Sequence, residues 1–252
     1  IQDIYTNWVQ GYGCKTKDAA ETLECFRMFM GPDNVAKLVY TDNSKELKSA
    51  MKELQWPHDT ATPYKPQTNG IAERAVRRVK EGTSCVIVQS GFDECWWPQA
   101  MKIYCLHRCT IDLLEGNKTA YGLRYGEEFK GPFIPMGALI RYKPTAPDDT
   151  ERLKKYSSKT LAGLMIGYEQ HNGGRITKNL LIIDCEELEE ATHPGKVHIK
   201  TIPEKNVLQQ TRKNEFIFPL AKGQLNQPGM DTKEKARRKR YAKMNETDEE
   251  NE

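Results

Sequence analysis

The 252-residue chain lacks the cysteine pattern of a disulfide framework or a zinc ribbon: its seven cysteines are odd in number, scattered, and never spaced Cys-x-x-Cys. That usage fits a reducing compartment. Its five histidines, at 58, 107, 171, 193 and 198, show no ligand spacing with those cysteines. No apolar run approaches the ~20 residues that span a bilayer, and no signal-peptide pattern opens the sequence, so neither a membrane protein nor a secreted one is expected. There is no internal repeat. Net charge is only +3, which by itself gives no argument for a polyanionic partner. The charge is nevertheless segregated. Lys233 to Lys243 hold seven Lys or Arg against one Glu, and Glu246 to Glu252 hold five acids and no base. Hydrophobic residues make up 38% of the chain, a low value that implies a part outside any packed core.

What is present is an alternation of strand and helix signals. Ile1 to Gly13 reads as strand, turn, strand, with the β-formers Ile4, Tyr5, Trp8 and Val9 interrupted at Thr6-Asn7. Thr16 is the expected N-cap of a helix with Leu23, Phe26 and Met30 on its apolar face, ended by Gly31-Pro32. Lys37 to Thr41 (KLVYT) reads as a short buried strand, Asn43 to Gln55 as an amphipathic helix, and Trp56 to Thr60 as an edge strand. Two prolines and Asn-Gly make Thr62 to Gly70 (TPYKPQTNG) a loop. Ile71 to Gln89 and Trp96 to Leu114 read as long helices. This order predicts an α/β class, helices over a mixed sheet, in residues 1–133. Four β-rich runs follow (Ala138 to Tyr142, Thr160 to Tyr168, Asn179 to Cys185, Val197 to Ile202), predicting a small barrel or sandwich over 134–210. Residues 211–252 read as a charged, disordered tail.

Two carboxylates stand out. Asp42 directly follows the strand KLVYT, at the sheet end where α/β proteins place their sites. Glu73 lies one turn into the long helix after the loop. Carboxylates from different elements suit Mg²⁺, a hard ion that takes oxygen ligands and keeps water for a substrate phosphate. Arg77 at i+4 and Lys80 at i+7 share the helix face of Glu73, a basic stripe suited to a phosphate backbone. The loop offers Tyr64, Lys65, Gln67, Thr68 and Asn69, groups that stack on bases or bind phosphate and sugar. Taken singly each has an ordinary explanation. Asp after a strand is commonly a turn former or cap, and Glu73 with Arg77 has the spacing of an i,i+4 ion pair on a solvated face. The pairs Cys105/Cys109 and Trp96/Trp97 are expected in helix core.

Taken together, YTDNSKEL followed by TPYKPQTNGIAERAVRRVKEG strongly resembles the catalytic core of retroviral and copia-type retrotransposon integrases. In that family the second acidic ligand lies in a T/S-D-N segment and the third in P-Q-x-N/Q-G-x-x-E. The resemblance makes Asp42 the second acid and Glu73 the third. It makes Tyr64, Lys65, Gln67 and Asn69 part of a DNA-touching loop, and Arg77 and Lys80 DNA-binding positions. WWPQAMKIY, NKTAYGLRYG and SSKTLAGLMIGYE resemble the segments that follow the core in copia-type polyproteins. The resemblance implies a ribonuclease-H-like fold, Mg²⁺ or Mn²⁺, 3′-end processing and strand transfer, DNA (element ends and target) as partner, homo-oligomers, and a nuclear location or a cytoplasmic retroelement particle. The family's first Asp would precede Ile1, the Asp42–Glu73 spacing is shorter than usual, Ser44 stands where Gly is common, and no His/Cys zinc module is present. From these departures the chain by itself is expected to be nearly inactive. The alternative is a catalytically dead or domesticated nucleic-acid-binding remnant. The basic run Lys233 to Lys243 is read equally as a localisation or DNA-contacting arm and as an ordinary charged tail.

Overall fold

The computed structural model describes residues 1–229 except 33 and 62–69. The chain is α/β. Its elements are α1 (Ala19–Met30), β1 (Val39–Thr41), α2 (Lys45–Leu54), β2 (His58–Thr60), α3 (Gly70–Ser90), α4 (Trp97–Ile111), α5 (Ala120–Tyr125), β3 (Leu139–Tyr142), α6 (Pro147–Glu151), β4 (Leu161–Gln170), β5 (Ile176–Asp184), α7 (Cys185–Glu190), β6 (Ile199–Pro203), β7 (Val207–Gln209), β8 (Thr211–Arg212) and β9 (Glu215–Phe216). They form two compact units that interleave along the chain. The first comprises Ile1–Gly82, Tyr104–Lys130 and Gln170–Thr177; the second holds the rest.

In the first unit, β1 and β2 pair in parallel, Val39 opposite His58 and Thr41 opposite Thr60. α1 and α2 cover a core of Leu23, Phe26, Val39, Ala50 and Met51, against which Leu47, Leu54 and Trp56 pack. Ile1 to Gly13 forms a tight hairpin with one antiparallel bridge, Gln2 to Val9, rather than two full strands. Its turn is tied by Asp3, whose carboxylate accepts from the Tyr5 N–H (3.0 Å) and the Thr6 hydroxyl (2.6 Å). The N-cap of α1 is Asp18, which accepts from the Glu21 N–H; the expected cap, Thr16, instead donates its hydroxyl to Asp18. Trp8 is fully buried, edge-on to Tyr125, with the Arg124 guanidinium 5.6 Å above its ring. Burial pushes the Cys105 thiol up to about 11 and His107 down to about 4.

The second unit is built on a five-stranded sheet in the order β6-β5-β4-β3-β7, with β6 and β7 at its edges. The β3–β4, β3–β7 and β5–β6 pairs are antiparallel. The four expected runs are β3 to β6, and β7 adds an edge strand. Ile140, Tyr142, Leu164, Met165, Ile182 and Ile183 are fully buried there. Asp184 caps α7 through two backbone N–H groups, accepts the Tyr142 hydroxyl at 2.7 Å, and pairs with Arg152 at 3.1 Å.

The expected disordered tail is corrected over its first part. β8 and β9 form a hairpin, Leu220 is fully buried, and Gln227 is 1% exposed. The Gln227 amide accepts from the Asp93 N–H (3.0 Å) and donates to the Gly91 carbonyl (2.8 Å). Gly91 has φ +74°, and a Cβ there would lie 2.2 Å from the Ala221 nitrogen, so the segment seats directly on a position that needs glycine. A few apolar anchors hold a stretch whose composition reads as solvated. The basic run Lys233 to Lys243 lies outside the described residues.

Candidate functional site

Asp42 leaves the C-terminal end of β1 and is exposed. Its Oδ1 accepts from the Ser44 N–H at 3.1 Å, a turn that feeds α2, whose N-cap is Ser44. The turn-former reading of Asp42 is therefore realised, and it leaves the carboxylate at the surface. The preceding residue, Thr41, is buried; its hydroxyl donates to the Asp42 carbonyl (2.7 Å) and meets His58 Nε2 at 2.8 Å. With the Thr41 proton engaged, Nε2 is the donor to Thr41 Oγ1. Nothing in the local sequence points to this bond, because it depends on the parallel register that sets His58 of β2 beside β1.

Glu73 lies in the first turn of α3 and is exposed, as are Arg77 and Lys80. No ion pair joins Glu73 to Arg77 among the described residues, so the i,i+4 pair that the spacing allows is not made. Arg78 points elsewhere. It lines a cavity of about 20 Å³, room for one water, with Gln2, Asn7, Val9 and Arg108. Further along the helix, Gly82 meets the ring of Tyr104 from α4 so closely that an added Cβ would lie 2.0 Å from it. Tyr64, Lys65, Gln67 and Asn69 lie outside the described residues. Trp96, Cys105 and Cys109 are buried, as expected of core, whereas Trp97 is 44% exposed.

The carboxylates of Asp42 and Glu73 are oxygen donors of the kind Mg²⁺ takes. Among the described residues, however, no group of three or more His, Cys, Asp or Glu side chains is placed to hold a metal ion. Asp42 and Glu73 are thus of the right chemistry for the ion, without a third such side chain grouped with them among the described residues. No described helix is long and apolar enough to cross a membrane, and every described cysteine is a free thiol. α2 also carries lysines at 45, 48 and 52, and Trp56 follows it, residues to which the motif draws no attention.

No protein-family model matches the chain. Among solved structures it is similar to a chain of the simian T-cell lymphotropic virus intasome in complex with PP2A regulatory subunit B56 gamma, with TM-score 0.41, 15% identity, and coverage of 84% of this chain and 72% of that one. It is also similar to the catalytic core domain of BIV integrase, with TM-score 0.33, 19% identity, and coverage of 44% and 72%. At these scores neither likeness carries an argument about function.

Proposed function

We propose that the chain is part of an integrase-type polynucleotidyl transferase of a retroelement, with a ribonuclease-H-like core, that acts on DNA ends with Mg²⁺ or Mn²⁺. The observation that supports this most is Asp42 exposed at the end of a strand in a parallel pair, combined with the helix start that presents Glu73, Arg77 and Lys80 to solvent. Asp42 and Glu73 would hold the ion, which when bound would activate the attacking oxygen and stabilise the leaving one. Arg77 and Lys80, three residues apart on one face, would position the phosphate backbone. The loop residues Tyr64, Lys65, Gln67 and Asn69 would contact the DNA end. Assembly as a homo-oligomer on two element ends, in the nucleus or a cytoplasmic retroelement particle, belongs to the same proposal.

The test is strand transfer of a labelled DNA end by the longest natural polypeptide that carries this chain. Joining with Mn²⁺ that is abolished in both Asp42→Asn and Glu73→Gln is the expected result. Unchanged joining in either variant sinks the assignment of that residue. A second reading is a nucleic-acid-binding remnant without chemistry. It predicts DNA binding that depends on Arg77 and Lys80 with no joining in any background.

A further inference from the structure

We propose that a single strand of nucleic acid binds along α2, its phosphates on Lys45, Lys48 and Lys52 and one base in the hollow lined by Trp56. This surface shares no residue with the Glu73–Lys80 face and goes beyond the function proposed above.

The three lysines stand at i, i+3 and i+7, so they lie on one face of the helix. The rise of ~1.5 Å per residue spreads them over about 10 Å. All three are exposed, and none is in an ion pair among the described residues. Their acidic helix neighbour Glu46 is already taken, 3.1 Å from Lys17. Uncommitted cations in a row at the surface suit a polyanion.

The stripe begins three residues after Asp42 and ends in a shallow, open surface hollow lined by Lys48, Lys52, Gln55, Trp56, Pro57 and His58, with the buried Met51 beneath. Trp56 is half-buried. Its ring stands edge-on to Phe26, centroids 6.2 Å apart and planes at 89°, and the residue lines the hollow. An aromatic anchored on one side beside unpaired lysines is a stacking platform for an unpaired base. A duplex keeps its base faces stacked and has nothing to offer the indole. Gln55 and His58 add hydrogen-bonding groups. The acids nearest in sequence, Glu53 and Asp59, do not line the hollow. His58 also bonds Thr41, the residue before Asp42, so both ends of the stripe are tied to the same turn.

The test uses the whole chain and a short oligodeoxynucleotide carrying 5-iodouracil. Binding is followed by fluorescence anisotropy across a salt series, and photo-crosslinks are mapped by peptide mass. The expected crosslink falls on Trp56. Lys48→Gln with Lys52→Gln, surface changes that leave the core intact, should flatten the log–log salt slope by about 1.4, at ~0.7 per contact. With 1 M salt as the point of no electrostatic gain, this corresponds to roughly 25-fold weaker binding at 0.1 M. Arg77→Gln with Lys80→Gln should leave the Trp56 crosslink in place, which separates this surface from the α3 face. A crosslink only outside the hollow, an unchanged slope in the α2 variant, or an equal effect of that variant on a blunt duplex would each overturn the proposal. Loss of joining in Asp42→Asn with the Trp56 crosslink retained supports both readings independently.

Discussion

Replacing Gly82 by alanine sets two effects of known size against each other. In a helix interior alanine is favoured over glycine by about 1 kcal/mol, and Gly82 sits well inside the 21-residue α3. Its new Cβ, however, would lie 2.0 Å from both Cε2 and Cζ of Tyr104 and 2.5 Å from Cδ2. Ordinary carbon contacts lie at about 3.5–4.0 Å, so ring or helix must move by roughly 1.5 Å. A tyrosine ring cannot bend away as a lysine tip would, so the upper part of the overpacking range of about 1–3 kcal/mol applies. The net expectation is destabilisation by about 1–2 kcal/mol, a fall in Tm of roughly 2–8 °C for a chain of this size. Thermal unfolding followed by circular dichroism measures it. In a Tyr104→Ala background the clash is gone and the propensity gain remains, so Gly82→Ala should then stabilise by about 1 kcal/mol. That reversal of sign is the coupling a double-mutant cycle reads. A Tm that rises on Gly82→Ala in the natural background would refute the packing of α3 against Tyr104, and with it the framework that holds Glu73 nine residues earlier on the same helix.

Three further outcomes are expected. Burial holds His107 at about 4, below its ordinary 6.5. Its contribution is therefore complete above pH 6.5 and lost as pH falls toward 4, by up to about 3 kcal/mol; the stability difference between the natural chain and His107→Gln, measured by denaturant unfolding from pH 7 to 4.5, should narrow across that window. Arg152→Leu leaves Asp184, 1% exposed, without its cation, and should cost about 2–3 kcal/mol, below the full range for a broken buried pair because Arg152 is itself partly exposed; a smaller loss in Arg152→Lys checks that charge is the cause. Gln227→Ala strips partners from the Asp93 N–H and the Gly91 carbonyl, and should cost about 1–3 kcal/mol and speed proteolysis after β9, whereas a truly disordered tail would show neither effect.

The helices were legible because their apolar spacing is local. α2, α3 and α4 begin and end within a few residues of where periodicity and Gly or Pro signals put them. The cap of α1 shows the limit of such signals. Thr16 and Asp18 are both capping residues two positions apart, and only the folded backbone chooses between them. The segment around Leu220 and Leu225 was illegible for another reason. Isolated apolar anchors have no period, and the backbone at Leu220 and Ala221 seats against the bare backbone of Gly91, distant in sequence. At the candidate site, Asp42 could be found because a carboxylate after an apolar strand is a local pattern. The His58–Thr41 bond beneath it could not, since it depends on the parallel pairing of β1 with β2, which joins residues 17 apart in sequence.

The seat of Gln227 on the turn at Gly91 and Asp93 sets how far this protein can be shortened. A truncation after Gln210, where composition suggests folding ends, would remove the plug that covers the end of α3 and leave an apolar scar at Leu220's place. Such a product would be recovered as aggregate, whereas one that retains Leu220 and Gln227 keeps that seat filled.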